Sequence, residues 1–364
     1  MSIDRIDEYS FEVGAIRPPS EGGSHSLLLR PTRNCSWNRC KFCYGNVYNR
    51  QKLEIRSVEE IKKDIDSAKA IADAIRAVSW ELGQGGGVSH SVAAAMLRSN
   101  PGLESNHCFV LVFNWLAAGA RTAFLQDANT PIMRTPDLLE VLRYLKQQLP
   151  TLERVTSYAR SKTIAKKSLE DLKELRAAGL TRLHMGLESG DDDVLVYVDK
   201  GVTAEEQIAG GKKAKQAGFE LSEYVMPDLG GRGMSDQHAR NTARVLNEID
   251  PDFIRMRPFV VGPAQPLFED YQSGALELSS PHERLQELRT LIQNLDVTGR
   301  VCFDHAMNAW YQDSTRRRTL FTQDYNGYKF PEEKEEVLEL IEEGLRLDES
   351  LHMHVEEMIE MRSL

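Results

Sequence analysis

The amino-acid sequence predicts an α/β fold, built from strand-helix units that feed a parallel sheet. Three observations carry this. Short β-rich segments alternate with longer amphipathic ones from residue 26 to about residue 300, the pattern of successive βα units. The longer segments open on helix caps: Ser57-Val58-Glu59-Glu60 and Thr203-Ala204-Glu205-Glu206 are capping boxes, and Thr135-Pro136 and Ser280-Pro281 place proline at the first helical position. Gly179 and Gly218 then follow helices as C-terminal stops.

In chain order, an N-terminal segment (1–25) precedes a first strand at 26–31, whose Leu27-Leu28-Leu29 is an uninterrupted apolar run. The first helix starts at Ser57 and ends near Leu82. Between it and the second strand, at 121–126, lies an insertion, 83–120, that reads as helical in two pieces. Its opening Gly83-Gln84-Gly85-Gly86-Gly87 has the composition of a phosphate loop. Such loops follow a strand and open a helix, whereas these glycines follow a helix, so the segment reads as a turn only. Further strands are expected at 153–158, 181–188, 219–226 and 252–261, with a seventh candidate at 300–304. In the fourth strand of the chain, 181–188, Leu183, Met185 and Leu187 alternate with His184, Gly186 and Glu188, so the polar set turns away from the helices and inward.

From 301 to 364 the expectation is a C-terminal extension, mainly helical and acidic. Val337, Leu338, Ile341 and Leu345 stand at helical spacing and predict a packing helix within 331–346, and Asp348 is placed to start a second, carrying Leu351, Val355 and Met358. His352 and His354, two apart, do not share a helix face, which argues against a metal role. The run Arg316-Arg317-Arg318 reads as a solvated turn.

At 364 residues, with 41% apolar and 27% charged, the chain is long enough to bury a large core. It holds no 18-residue apolar run, and its first eight residues, Met1-Ser2-Ile3-Asp4-Arg5-Ile6-Asp7-Glu8, carry acids where a secretion signal is basic and then apolar. A cytoplasmic protein with no membrane span is therefore expected. Of five cysteines, three sit together and only Cys108 and Cys302 stand elsewhere, which disfavours a disulfide framework and fits a reducing compartment. The formal charge of -10 is concentrated in the tail: residues 331–364 hold 12 acids against Lys334, Arg346 and Arg362. The nearly neutral body has no basic stripe interleaved with aromatics, so nucleic-acid binding gains no support.

The chemistry is concentrated in Arg33-Asn34-Cys35-Ser36-Trp37-Asn38-Arg39-Cys40-Lys41-Phe42-Cys43. Three thiolates within nine residues can bind three irons of a cubane cluster and leave the fourth open, whereas closed electron-transfer clusters and structural zinc sites want four ligands. The competing reading is a three-cysteine zinc site completed by a distant histidine. With Phe42 before the last cysteine, an apolar strand ahead and the βα pattern behind, the chain resembles the radical S-adenosylmethionine (SAM) superfamily over residues 26–295. That family usually has three residues between its first two cysteines and two between the last pair. Here the first gap is four (Ser36, Trp37, Asn38, Arg39) and the second is two (Lys41, Phe42), a departure that lengthens the cluster loop.

The resemblance implies a partial (β/α)6 TIM-like barrel spanning 26–300. It implies a 4Fe-4S cluster on Cys35, Cys40 and Cys43, with SAM and Phe42 beside it. It also implies reductive cleavage of SAM to a 5′-deoxyadenosyl radical that takes hydrogen from a small organic substrate, the electron coming from a donor such as flavodoxin or ferredoxin. Asp127, in Gln126-Asp127-Ala128-Asn129 after the second strand, stands where the family has a Gly-Gly-Glu motif that meets the SAM ammonium; a strand-end turn is the plain alternative. After the third strand, Ser157 and Arg160 fall on opposite strand parities, so one of them reaches SAM, if either does, from the loop. The passage Gly186-Leu187-Glu188-Ser189-Gly190-Asp191-Asp192-Asp193-Val194-Leu195 with Lys200-Gly201 is similar to the porphyrinogen oxidase and methylthiotransferase branches. By that resemblance Glu188 accepts from the ribose hydroxyls and Lys200 faces the methionine carboxylate; the alternative for Lys200 is a surface cation. A buried acid without a partner is costly, which favours a ligand on Glu188. The glycines of Pro227-Asp228-Leu229-Gly230-Gly231-Arg232-Gly233 let backbone approach a flat base, and the family uses this edge for adenine.

Arg255 and Arg257 share a parity in the sixth strand and suit either an anionic substrate group, a SAM carboxylate, or an internal ion pair with Asp127 or Glu188. Asp304, His305 and Asn308 are candidates to close over the substrate opening, with structural hydrogen bonding as the plainer role. A second functional class, an iron-sulfur sensor or electron-transfer protein without turnover, is disfavoured by this number of SAM contacts. Two stray cysteines cannot supply an auxiliary cluster, the tail is acidic where RNA methylthiotransferases are basic, and about 25 residues precede the first strand, so a bare barrel with one cluster is expected.

Overall fold

The computed structural model describes residues 3–16, 25–43, 51–306, 308–313, 316–354 and 357–358 of the 364. The strands are β1 (Leu27–Leu29), β2 (Thr32–Arg33), β3 (Glu54–Ile55), β4 (Thr122–Leu125), β5 (Arg154–Ala159), β6 (Leu180–Glu188), β7 (Glu220–Val225), β8 (Phe253–Met256), β9 (Arg300–Cys302), β10 (Trp310–Asp313), β11 (Arg316–Thr319) and β12 (Tyr328–Lys329). All seven expected strands are among them. The sixth stops at Met256 rather than Val261, because Pro258 has no N–H to give a ladder.

The chain divides into two compact units. The first comprises Met1–Asn34, Leu53–Tyr158 and Glu170–Arg182. In it β1, β4 and β5 run parallel, with Leu27 beside Ala123 and Thr122 beside Arg154, and the start of β6 follows β5 in the order. Helix Val58–Glu81 buries Ile61, Ile65, Ala68, Ile71, Ile75 and Val78, a stripe at the 3.6-residue period, and begins at the expected Ser57–Glu60 capping box. The insertion is helical at His90–Ser99 and His107–Ala117, as its sequence predicts. Trp115 of the second piece is fully buried and its indole N–H donates to the Thr122 carbonyl at 2.8 Å. Gly83–Gly87 is a turn between helices.

The second unit comprises Cys35–Lys52, Ala159–Leu169 and Leu183–Leu364. Its sheet runs from the end of β6 through β7, β8 and β9, with β7, β8 and β9 parallel and β12 antiparallel on β9. Among the described residues the strand order is open, so the sheet is mostly parallel α/β without closing into a barrel. Helix Ala204–Gln216 carries its expected capping box; helix Pro281–Asn294 has its expected proline in the first turn and adds a capping box of Ser280 and Glu283. One apolar cluster, Val194, Val198, Met226, Leu229, Phe259, Val261, Leu267 and Leu276, receives the ring of Phe42 and so ties the cysteine loop to the core.

Two expectations about the C-terminal extension need correction. Arg316-Arg317-Arg318 is not a turn: it lies in β11, paired antiparallel with β10, and its exposed side chains satisfy the solvation that suggested a turn. Asp348 caps the 3-10 turn Glu349–Leu351, after which His352 leaves to bridge Tyr311, so no α-helix starts at Asp348; Glu357 and Met358 are helical, and Val355 lies outside the described residues. The expected packing helix is present at Lys334–Arg346 with Val337 and Ile341 buried. Among the described residues no helix is long and apolar enough to cross a membrane.

Candidate functional site

The cysteine loop leaves β2 at Asn34, whose φ of 69° turns the chain. Its amide is held from the end of β4, where Asp127 Oδ2 accepts from Asn34 N–H at 2.6 Å and from Arg30 Nε and Nη2 at 3.1 and 2.9 Å. Asp127 is fully buried, and among the described residues its Oδ1 has no hydrogen-bond partner. Glu12 anchors the same entry: it accepts from Arg30 and Arg33, and the Arg33 hydrogen bond holds its carboxyl below the usual range. Sequence reading missed Glu12, Arg30 and Arg33 in this role, since acids and bases at unrelated spacing leave no periodic signal.

Within the loop, Cys40 is buried and Cys35 and Cys43 are half-buried. Trp37 N–H points at Cys35 Sγ at 3.4 Å and Cys43 N–H donates to the Cys40 carbonyl at 3.2 Å. Lys41 N–H donates to the Val198 carbonyl at 2.8 Å. Burial pushes the Cys43 thiol up to about 11 and raises Cys40 as well; Lys200 pulls both the other way. Among the described residues no three His, Cys, Asp or Glu side chains converge closely enough to hold one metal ion. The other cysteines are engaged elsewhere, Cys108 with the Phe11 backbone and Cys302 with the Tyr325 carbonyl.

β6 delivers Glu188 at its last residue, with φ 64°. The carboxylate turns back across Gly186, where any Cβ would overlap it, and meets Lys200 Nζ at 3.0 Å. Lys200 is buried, not a surface cation, and its ammonium lies 5.5 Å from the centre of the Phe42 ring. Glu188 is half-buried and already has a partner in Lys200, so its burial alone does not call for a further ligand. His184 is fully buried, edge-on to Tyr224. Arg160 acts from the loop after β5, its Nη2 donating to the Lys200 carbonyl at 2.8 Å, while Ser157 is buried on the strand with its hydroxyl on the Tyr158 carbonyl.

The sequence did not single out Glu223, a fully buried acid on β7 between Ser222 and Tyr224. Burial pushes its carboxyl well above the usual range, and the charge of Glu188 adds to this. Its strand, Glu220–Val225, holds two acids, and nothing in the sequence marks Glu223 as the buried one.

The glycine-bearing loop after β7 is tied from within. Asp228 accepts from Arg284 Nε at 2.8 Å and from Ser279 N–H, and its own N–H donates to Glu287. Gly231 lies against the Glu277 carbonyl, so its missing side chain already has a packing reason. Arg255 pairs with neither Asp127 nor Glu188. It reaches Asp304 at 2.7 Å and Ser222 at 3.1 Å, because β8 and β9 bring Arg255 and the residues after Cys302 side by side. Asn308 donates to the Met256 carbonyl, the structural role. Burial, aided by Arg257, pushes the His305 imidazole down to about 3.

Comparison with known proteins finds similarity over part of the chain. Residues 118–246 match the family model of the Radical SAM superfamily, and the cysteine loop lies ahead of that segment. The chain is 26% identical over 151 residues to Elongator complex protein 3 of Bos taurus, covering 41% of this chain and 27% of the relative. It is 23% identical over 181 residues to Heme chaperone HemW of Bacillus subtilis (strain 168), covering 49% and 47%. It thus spans about a quarter to a half of the curated relatives it matches. Coproporphyrinogen III oxidase (HemN) from Escherichia coli, described as a radical SAM enzyme, aligns over 74% of this chain and 51% of its own at 16% identity and a TM-score of 0.44. Members of the superfamily are enzymes that bind a 4Fe-4S cluster and SAM.

Proposed function

We propose, for a chain whose residues 118–246 match the family model of the Radical SAM superfamily, that Cys35, Cys40 and Cys43 hold a 4Fe-4S cluster with one open iron and that the protein acts on a small organic substrate by hydrogen abstraction. The observation that carries this is the donor set. Three thiols share one loop, Phe42 between the last two is seated in the core, and the buried Lys200 ammonium lies over that ring and favours the anionic form of Cys40 and Cys43. When bound, the cluster and SAM together supply a 5′-deoxyadenosyl radical.

The residues of the chain bind, orient and exclude water. Lys200 faces the methionine carboxylate and Glu188 accepts from the ribose; each must exchange its present partner, the other, for SAM. Asp127 suits the SAM ammonium on its own chemistry, since Oδ2 is committed to Arg30 and Asn34 while buried Oδ1 keeps a free acceptor. Arg160 holds the Lys200 backbone, and Ser157 keeps acceptor capacity on its hydroxyl. Loading the thiols releases protons, because burial holds Cys40 and Cys43 neutral without metal.

Anaerobic reconstitution with iron and sulfide tests the reading. The expected product is a brown protein with about four irons per chain. Its reduced electron paramagnetic resonance (EPR) signal should shift with SAM, and 5′-deoxyadenosine should form under reduction. A protein that takes up one zinc instead overturns it. A cluster that cycles electrons without any response to SAM would favour the sensor or electron carrier.

A further inference from the structure

The cysteine loop is one residue longer in its first gap than the family pattern, and one residue of that gap has a geometry of its own. The Trp37 ring packs against Gly201, where a Cβ would overlap the indole and where φ is 69°. Its Nε1–H donates to the Asp199 carbonyl at 2.6 Å. Two guanidiniums lie over the same ring, Arg39 at 4.8 Å and Arg160 at 5.5 Å from its centre. Arg39 pairs with the Asp199 carboxylate at 3.0 Å, and Arg160 donates to the Lys200 carbonyl at 2.8 Å. Both carbonyls flanking the start of the Lys200 side chain are therefore fixed, one by the cysteine loop and one by an arginine stacked on it.

We infer that Trp37 is a positioning residue: it docks the lengthened cysteine loop on the turn Asp199–Gly201, so that the metal-binding loop and Lys200 keep one fixed relation. The inference rests on the reading above, in which the cysteines hold the cluster and Lys200 faces SAM. A fourth residue adds two rotatable backbone angles between Cys35 and Cys40, and the indole removes that freedom by tying the gap to a segment whose Asp199 and Gly201 both have positive φ.

The experiment is a double-mutant cycle on SAM affinity, measured by EPR titration of cluster-loaded protein at matched iron content. Trp37→Ala is expected to weaken SAM binding roughly tenfold in the wild-type background, about what losing one well-made hydrogen bond costs, and by less than about twofold in a Lys200→Met background. Equal weakening in both backgrounds, or none in either, overturns the inference. Should Trp37→Ala fail to load, Trp37→Phe replaces it, retaining a ring under the guanidiniums without the N–H. Thermal unfolding of the cluster-free protein gives a second readout: Gly201→Ala should cost more stability when Trp37 is present than in Trp37→Ala, and an equal cost would show that the ring does not dock there. A wild-type protein that takes up no cluster overturns the parent reading and this inference with it. A wild type that loads and binds SAM without coupling in the cycle overturns this inference alone.

Discussion

Replacing Glu287 by glutamine should stabilise the protein at neutral pH and leave it nearly unchanged in acid. Glu287 is buried on helix Pro281–Asn294. Its Oε1 accepts from the Asp228 N–H and its Oε2 from the Ser235 hydroxyl, both at 2.7 Å. Burial pushes its carboxyl up to about 8, and the neighbouring Asp228 charge adds to this, while the single nearby guanidinium, Arg284, is committed to Asp228 at 2.7 Å. The folded value is thus raised above the ordinary 4.5, so the folded state keeps a proton that the unfolded chain has released. Stability from this group is whole below pH 4.5 and falls as pH rises toward 8. At roughly 1.4 kcal/mol for each pH unit crossed, it costs the fold about 3 kcal/mol at pH 7. The amide of Glu287→Gln keeps an acceptor for Asp228 and gives a donor for Ser235 without any proton to hold. Any fixed cost of the new geometry cancels when two pH values are compared, so the advantage of the variant should grow by about 2.5 kcal/mol from pH 5 to pH 7. Urea unfolding of both proteins in that range measures it. Parallel stability curves would show that Glu287 is ionised in the fold and that Arg284 neutralises it.

Cys35→Ala, Cys40→Ala and Cys43→Ala should each abolish cluster uptake and SAM cleavage, whereas Cys108→Ala and Cys302→Ala, whose sulfurs contact backbone elsewhere, should keep both; iron and sulfide analysis decides. Glu188→Ala should weaken SAM binding ten- to a hundredfold, about 1.5–3 kcal/mol, with the cluster retained, and unchanged affinity would place Glu188 outside the site. The same change strands the buried Lys200 ammonium, and a loss of up to about 3 kcal/mol in unfolding free energy is expected, less in Glu188→Gln, which still accepts from Lys200. Truncation after Phe330 should lower the melting temperature. It removes Val337 and Ile341 from the core and strips Glu349 from the Ser280 hydroxyl at the start of helix Pro281–Asn294, yet it spares every proposed ligand, so loss of SAM cleavage in a folded, loaded truncation would assign the tail to the site.

Much of this protein is written in short-range spacing. The strands announce themselves by apolar runs, the helices by capping boxes at Ser57 and Thr203 and by the proline after Ser280, and the candidate metal-binding loop by three cysteines in nine residues, because each signal concerns residues within a few positions of one another. Even Glu188 and Lys200, twelve apart, were legible singly. Their pairing was not, nor was the docking of Trp37 on Gly201, the hold of Arg30 on Asp127, or the burial of Glu223 and Glu287. Those depend on which loops close on which strand ends across tens to more than a hundred residues. Sequence fixes the side chains available for such contacts, while the register of the sheet and the positive-φ turns at Glu188, Asp199 and Gly201 decide which acid meets which base. The long arginine, lysine and tryptophan side chains can reach many partners, and only the folded backbone selects one.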